Sequence, residues 1–186
     1  GLGDVYKRQY AGGVLGQAQQ TKIEFNNSAK INLNIANIKA NQYAGGFAGS
    51  LENGGTINVN TQKVQLSPLM SIRGNSGLGG FSGIIVSTNL KGDYKPNFSD
   101  TDVITNKDNT PFFAGKINSD DKSSSAQYIG GIAGSVDNSS IEGFYVTPSL
   151  CGNRYVGGIA GSVNNTTVYN CAANCGVFNL SLIHIS

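Results

Sequence analysis

The chain has 186 residues, 39% of them hydrophobic and none of them tryptophan, which suffices for one sizeable core. Only 13% are Asp, Glu, Lys or Arg, against about 25% in an average domain, so solubility rests on Asn, Ser, Thr and Gln. A formal charge of +2 without any cluster of Lys and Arg among aromatics excludes the footprint of a nucleic-acid-binding surface, and no apolar run reaches the roughly 18 residues of a membrane span.

Residues 1–9, GLGDVYKRQ, differ abruptly in composition from the rest of the chain and resemble translated sequencing-adapter read-through. Residues 179–186, with LSLIHIS from Leu180, do the same at the other end. Both are set apart from the fold, and the lone histidine, His184, goes with them.

From Tyr10 the string YAGGVLG opens a pattern that returns as YAGGFAG from Tyr43, GLGGFSG from Gly77, YIGGIAG from Tyr128 and YVGGIAG from Tyr155. The pairs are Gly12-Gly13, Gly45-Gly46, Gly79-Gly80, Gly130-Gly131 and Gly157-Gly158, so their first members lie 33, 34, 51 and 27 residues apart. Self-similarity at a period of tens of residues predicts a stacked array and not an active site, and uneven intervals predict loops inserted between equivalent units.

Along a strand, side chains alternate in direction, which puts Tyr128, Gly130, Ile132 and Gly134 on one face and Ile129, Gly131 and Ala133 on the other. Neither face is polar, so the strand belongs inside, between layers. The residue after each pair (Val14, Phe47, Phe81, Ile132, Ile159) is expected in the core. The glycines are expected to admit a neighbouring backbone or ring, and one of them to supply a positive φ for a bend. The leading tyrosines, Tyr10, Tyr43, Tyr128 and Tyr155, fall on equivalent places. They form either a buried ladder with hydroxyls at the surface or an exposed aromatic strip suited to carbohydrate.

Between the strings, residues 21–25 and 30–35 alternate polar and apolar and read as strands. The polar turns SLENGG, SVDNSS and SVNNTT introduce further strands, half-buried at 56–60 and continuing at Ile141 and Val168. Asn27, Asn138 and Asn165 fall near or in N-x-S/T patterns and read as turn residues. The segment 91–125, with Pro96 and Pro111, predicts a long protruding loop in which Phe112-Phe113 either cap the adjacent rung or form an exposed recognition patch. It also holds Asp93, Asp100, Asp102, Asp108, Asp120 and Asp121, a solvated loop or, alternatively, a source of paired carboxylates for glycoside hydrolysis. No stretch sustains a helical apolar stripe.

The usual chemistries lack their parts. No GKS or GKT follows the glycines, and Ser82 in GFSG has Ile84 where a nucleophile elbow needs glycine. With His184 set aside, no Ser or Cys has an imidazole base. Cys151, Cys171 and Cys175 are too few for a zinc site; they are buried free thiols, or Cys151 pairs with one of the others. No catalytic, cofactor-binding or metal-binding residues are expected.

The glycine-pair strand followed by an Asn/Ser turn resembles the GLUG motif repeats of bacterial surface proteins, across residues 10–178 and most clearly at Gly12-Gly13, Gly45-Gly46, Gly130-Gly131 and Gly157-Gly158. Those repeats occur in large adhesin-like proteins and in the non-catalytic part of some IgA-cleaving metalloproteases. The resemblance implies an all-β, right-handed parallel β-solenoid and a surface or extracellular location. The function expected is a structural or adhesive scaffold binding an unknown host or cell-surface ligand, protein or glycan, and linked to flanking domains of a longer chain. The alternatives are the non-catalytic portion of a secreted metalloprotease, or a carbohydrate-active β-helix using Asp100, Asp102, Asp120 or Asp121.

Overall fold

A computed structural model describes residues 9–25, 30–96, 111–118 and 126–179. Among these residues the secondary structure is entirely β, and every strand pair is parallel. The strands stack into ladders in which each unit of the sequence adds one rung.

The first ladder holds the glycine strings: Tyr10–Gly12, Tyr43–Gly45, Leu78–Gly79, Ile129–Gly130 and Val156–Gly157 pair in that order. The second follows directly in the chain and is built on Leu15–Gln19, Ala48–Asn58 and Ser82–Lys91. It continues through Ala133–Asp137 with Ser140–Glu142, then Ala160–Asn164 with Thr167–Tyr169. A further ladder takes Asn37–Lys39, Ser71–Arg73, Lys116–Ile117, Ser149–Gly152 and Gly176–Asn179, again one strand per unit. Two short pairs, Ile31–Leu33 with Val64–Leu66 and Tyr145–Val146 with Ala172–Ala173, lie between the second ladder and this one in chain order.

Because parallel rungs repeat the register, each ladder stacks like on like, and the apolar positions become columns. Leu51, Ile85 and Val136 form one, Ile57, Leu90 and Ile141 another, and Ile72, Ile117 and Leu150 a third, all fully buried. Each such side chain contributes about 1.5–3 kcal/mol of burial. Aromatic rings continue the pattern: Phe47 stacks on Phe81 at 4.9 Å, Phe81 meets Phe112 at 5.8 Å and Phe112 meets Phe144 edge-on at 5.1 Å.

Several expectations are corrected. The glycine string is not one continuous strand, since the chain bends at the second glycine and the residue after it. At each bend one carbonyl accepts two successive N–H groups of the neighbouring rung, as Phe81 O does from Phe47 N and Ala48 N, both at 3.0 Å. Both rungs carry the same number of residues through the bend, from Gly45 facing Gly79 to Ala48 facing Ser82, so it is a shared corner, and it ends the simple alternation of faces. The alternation placed Ile132 beside Tyr128; Ile132 is fully buried whereas Tyr128 is only half-buried. Of the five residues after the pairs, Phe47, Phe81 and Ile132 are in the core, Ile159 is half-buried, and Val14 is 50% exposed because no described rung lies beyond it. Residues 21–25 form no strand; the neighbouring rung carries its additional residue at this point, where Gly55 turns to a φ of 67°.

The interval 91–125 is not one protruding loop. Lys116–Ile117 take their place in a ladder, and Phe112 and Phe113 are wholly buried, which rules out the exposed patch. Aromatic rings of this size complete the core column that Phe81 and Phe144 begin. Within the interval, 97–110 and 119–125 lie outside the described residues, and with them Asp100, Asp102, Asp108, Asp120 and Asp121. So do Asn27 and all but the last residue of 1–9.

Candidate functional site

The repeat positions themselves are the best-defined feature of the molecule. Gly12, Gly45, Gly79, Gly130 and Gly157 occupy one register line through all five rungs. A Cβ on Gly45, Gly79 or Gly130 would come to 2.5 Å from the Cα of Ser82, Ala133 or Ala160 respectively, the residue just past the bend on the next rung, and one on Gly12 would meet Ala48 Cα at 2.6 Å. The second glycines, Gly13, Gly46, Gly80 and Gly131, face the carbonyls of Gly46, Gly80, Gly131 and Gly158, leaving no space for any side chain. They also donate hydrogen bonds to those same carbonyls, at 3.2, 2.9, 3.1 and 3.1 Å. None of these glycines has a positive φ; among described glycines only Gly55 and Gly143 do, so the pairs are required for close approach and not for a left-handed bend.

The tyrosines form two separate stacks. Tyr10 lies on Tyr43 with ring centroids 5.4 Å apart, and Tyr128 lies on Tyr155 at 5.1 Å, the ring planes nearly parallel at 4°. Gly77 interrupts the line: a Cβ there would meet Tyr43 Cδ1 at 2.6 Å, so the ring of Tyr43 covers the position. Tyr10, Tyr43 and Tyr128 are half-buried and Tyr155 is exposed. The arrangement is thus neither a buried ladder nor an unbroken aromatic strip.

A second recurring position lies in the polar turns that the sequence predicts, and its left-handed backbone at a fixed offset was not foreseen. Gln20, Asn53, Ser87, Asn138 and Asn165 each lie eight residues after the first glycine of their pair, and each has a left-handed φ, between 43° and 52°. The hydroxyl residue that comes next closes the turn on the carbonyl two positions earlier: Thr21 on Gln19 O at 2.9 Å, Thr88 on Val86 O at 2.9 Å, Ser139 on Asp137 O at 2.6 Å and Thr166 on Asn164 O at 2.7 Å. Two of these hydroxyls also tie rungs together, Ser139 Oγ accepting from Thr88 N at 3.0 Å and Thr88 Oγ1 from Gly54 N at 2.9 Å. Outside them, Asn165 Nδ2 donates to Asn138 Oδ1 at 2.6 Å and Asn164 Nδ2 to Asp137 Oδ1 at 2.5 Å. Turn chemistry accounts for the N-x-S/T spacing at Asn138 and Asn165, and the fixed offset from the glycines was the available signal.

Polar groups elsewhere bind rung to rung. Lys91, Glu142 and Tyr169 share a register line, with Tyr169 Oη donating to Glu142 Oε2 at 2.5 Å and Lys91 Nζ 3.4 Å away from the same oxygen. The tyrosine hydrogen bond, helped by Lys91, holds the Glu142 carboxyl below its usual range, and the same bond raises the Tyr169 hydroxyl. Asp93 Oδ1 accepts from Thr61 N at 2.8 Å and from Thr61 Oγ1 at 2.5 Å, securing the turn after Val59. Ser82 is buried and donates to Ile84 O at 2.8 Å, in register with Ala48 and Ala133.

No disulfide joins Cys151, Cys171 and Cys175, and burial pushes the Cys171 and Cys175 thiols up. Among the described residues no three His, Cys, Asp or Glu side chains converge to hold a metal, and no helix is long and apolar enough to cross a membrane. A shallow cleft of about 290 Å³ runs beside Ile31–Leu33, lined by Lys30, Asn32, Asn34, Gln65, Ser67 and Pro68 among others. Its amides and hydroxyl suit hydrogen bonding to a polar ligand. Comparison with family models, curated proteins and solved structures finds no match to this chain.

Proposed function

We propose that residues 10–178 form a right-handed parallel β-solenoid that serves as a structural and adhesive scaffold in a larger secreted or cell-surface bacterial protein, with no catalysis of its own. The observation that supports this reading is the shared register of Gly12, Gly45, Gly79, Gly130 and Gly157, which makes every unit a spacer against the next. A long core of identical contacts gives length and stiffness, the properties a stalk needs. The right-handed sense follows the general rule for parallel crossovers. The surface role rests on the resemblance of the glycine strings to GLUG repeats. In this reading the ligand, a protein or a glycan, contacts the polar outer surface, where the cleft beside Asn32 and Gln65 is one candidate.

The test is to recover the complete gene and to localise its product by surface labelling of intact cells. The scaffold reading expects a secretion signal, an anchoring sequence and labelling from outside. A product confined to the cytoplasm contradicts it.

A further inference from the structure

Parallel rungs stack charges that lie far apart in the chain. In the ladder through Asn37–Lys39, Ser71–Arg73 and Lys116–Ile117, the buried residues are Ile38, Ile72 and Ile117, so the residues beside them point sideways, away from the core. Those outward positions are Asn37 and Lys39, Ser71 and Arg73, and Lys116, and all three basic residues are exposed. Lys39 stands directly opposite Arg73, one rung spacing of about 4.8 Å away, and Lys116 stands opposite Ser71, roughly 8 Å from Arg73 on the diagonal. A further repeat stacked on either end would lengthen this face without covering it.

The acidic residues are placed elsewhere. Those in described strands, Glu52, Asp137 and Glu142, all belong to the second ladder, and the described strands of the basic ladder hold none. Like charges directly opposite one another on a sheet cost stability, a cost that an anion lying across both removes. Arg73 Nε donates to Ser71 Oγ at 3.3 Å, which steadies the side chain along the face. A guanidinium has five N–H donors and an ammonium three, so each group can serve a ligand in addition to contacts within the chain.

We propose that this face binds an acidic polysaccharide, its carboxylates or sulfates lying across Lys39, Arg73 and Lys116 and its hydroxyls meeting Asn37 and Ser71. Two features favour a sugar chain over a nucleic acid. The three strands carry no aromatic ring on which a base could stack. The phosphates of a duplex follow one another every ~3.4 Å along each strand, out of step with rungs about 4.8 Å apart. Such a ligand rests on the scaffold reading for its cellular setting, but binding is read on purified protein and location on intact cells, so either can fail without the other.

The experiment is calorimetric titration of the full 186-residue chain with dextran sulfate, polygalacturonate and neutral dextran. At least one of the two anionic glycans is expected to bind, the preferred one distinguishing sulfate from carboxylate, and neutral dextran is expected not to bind. Lys39→Gln, Arg73→Gln and Lys116→Gln should each weaken binding about fivefold and the triple variant about a hundredfold, with a shallower dependence on salt. A charge-matched control, Lys22→Gln with Lys63→Gln and Lys95→Gln, should stay within about twofold of wild type at physiological salt. Absence of binding to both anionic glycans overturns the proposal. So does equal binding of neutral dextran, an equal loss in the control, or tighter binding of a single-stranded oligonucleotide than of either glycan. Circular dichroism reports whether the triple variant keeps its β-structure. If it does not, acetylation of the wild type decides: shielding of Lys39 and Lys116 beyond that of Lys22 by the tighter-binding glycan supports the face, and equal labelling of all three overturns it.

Discussion

The middle and terminal rungs carry nearly the same string of residues and have different environments. In the rungs begun by Tyr43–Gly45, Leu78–Gly79 and Ile129–Gly130, the residues at each glycine pair are buried on both sides of the bend. In the rungs begun by Tyr10–Gly12 and Val156–Gly157 the same positions are half-exposed. The sequence of a unit therefore does not define its core; the neighbouring unit does. A repeat array draws its stability from interfaces, and its end units depend on half as many.

The third glycine of the string faces the preceding rung, so it separates the first rung from all later ones, the last included, where a Cβ on Gly161 would lie 2.4 Å from Ile129 N. A Cβ on Gly134 would run into Leu78 N and lie 2.6 Å from Gly77 C, whereas one on Gly16 would find its nearest neighbour, Tyr10 O, at an ordinary 3.8 Å. Gly134→Ala should lower stability by about 4–5 kcal/mol, since only backbone stands in the way. Gly16→Ala should be neutral or stabilise by about 0.5 kcal/mol through the unfolded state. Denaturant melts of both variants measure the difference.

Ile141 and Val168 share a register line but not an environment. Ile141→Ala should cost about 3 kcal/mol and Val168→Ala less than about 1 kcal/mol, read from the same melts. Equal losses would mean that the terminal rung is covered after all.

At the left-handed turn, Asn138→Val should cost about 1–2 kcal/mol, because a β-branched residue tolerates that φ poorly, while Asn138→Gly should cost only a few tenths. The smallest effect is electrostatic. Removing the hydroxyl in Tyr169→Phe should raise the Glu142 carboxyl toward its ordinary range, followed by carbon-detected NMR titration. Because the folded value is depressed, the bond's contribution is present above the ordinary carboxylate range and fades as pH falls through the lower folded value. For Tyr169 the shift is upward, so its part is present below the ordinary phenol range and is lost as pH rises through the higher folded value.

The parts of this fold that could be read in the sequence are those where backbone approaches backbone. Only glycine fits the positions at Gly45, Gly79 and Gly130, so the requirement shows as an invariant letter in each string. Strands made by ordinary alternation, such as Ile31–Leu33, were also legible, as were the polar turns. The ladder through Ser71–Arg73, Lys116–Ile117 and Ser149–Gly152 was not, because its strands are short and need only one apolar residue each, which many sequences supply. Phe112 and Phe113 were ambiguous for a related reason. Whether two aromatics between loop-like segments point inward depends on the column offered by Phe81 and Phe144, and nothing local to Phe112 reveals it. A bend was expected at the glycines, but not the way it is made: no positive φ turns the chain there, and two N–H groups sharing one carbonyl leave no trace in residue type.

The most direct test of the stacked glycine pairs is residue-resolved amide hydrogen exchange at Gly46, Gly80, Gly131 and Gly158 in dilute protein. The first three donate to the carbonyls of Gly80, Gly131 and Gly158 on the next rung, and their exchange should be slow and limited by opening of the stack. Gly158 has no following rung among the described residues and should exchange fast. Rapid exchange at Gly46, Gly80 and Gly131, matching that of Gly158, would contradict the account.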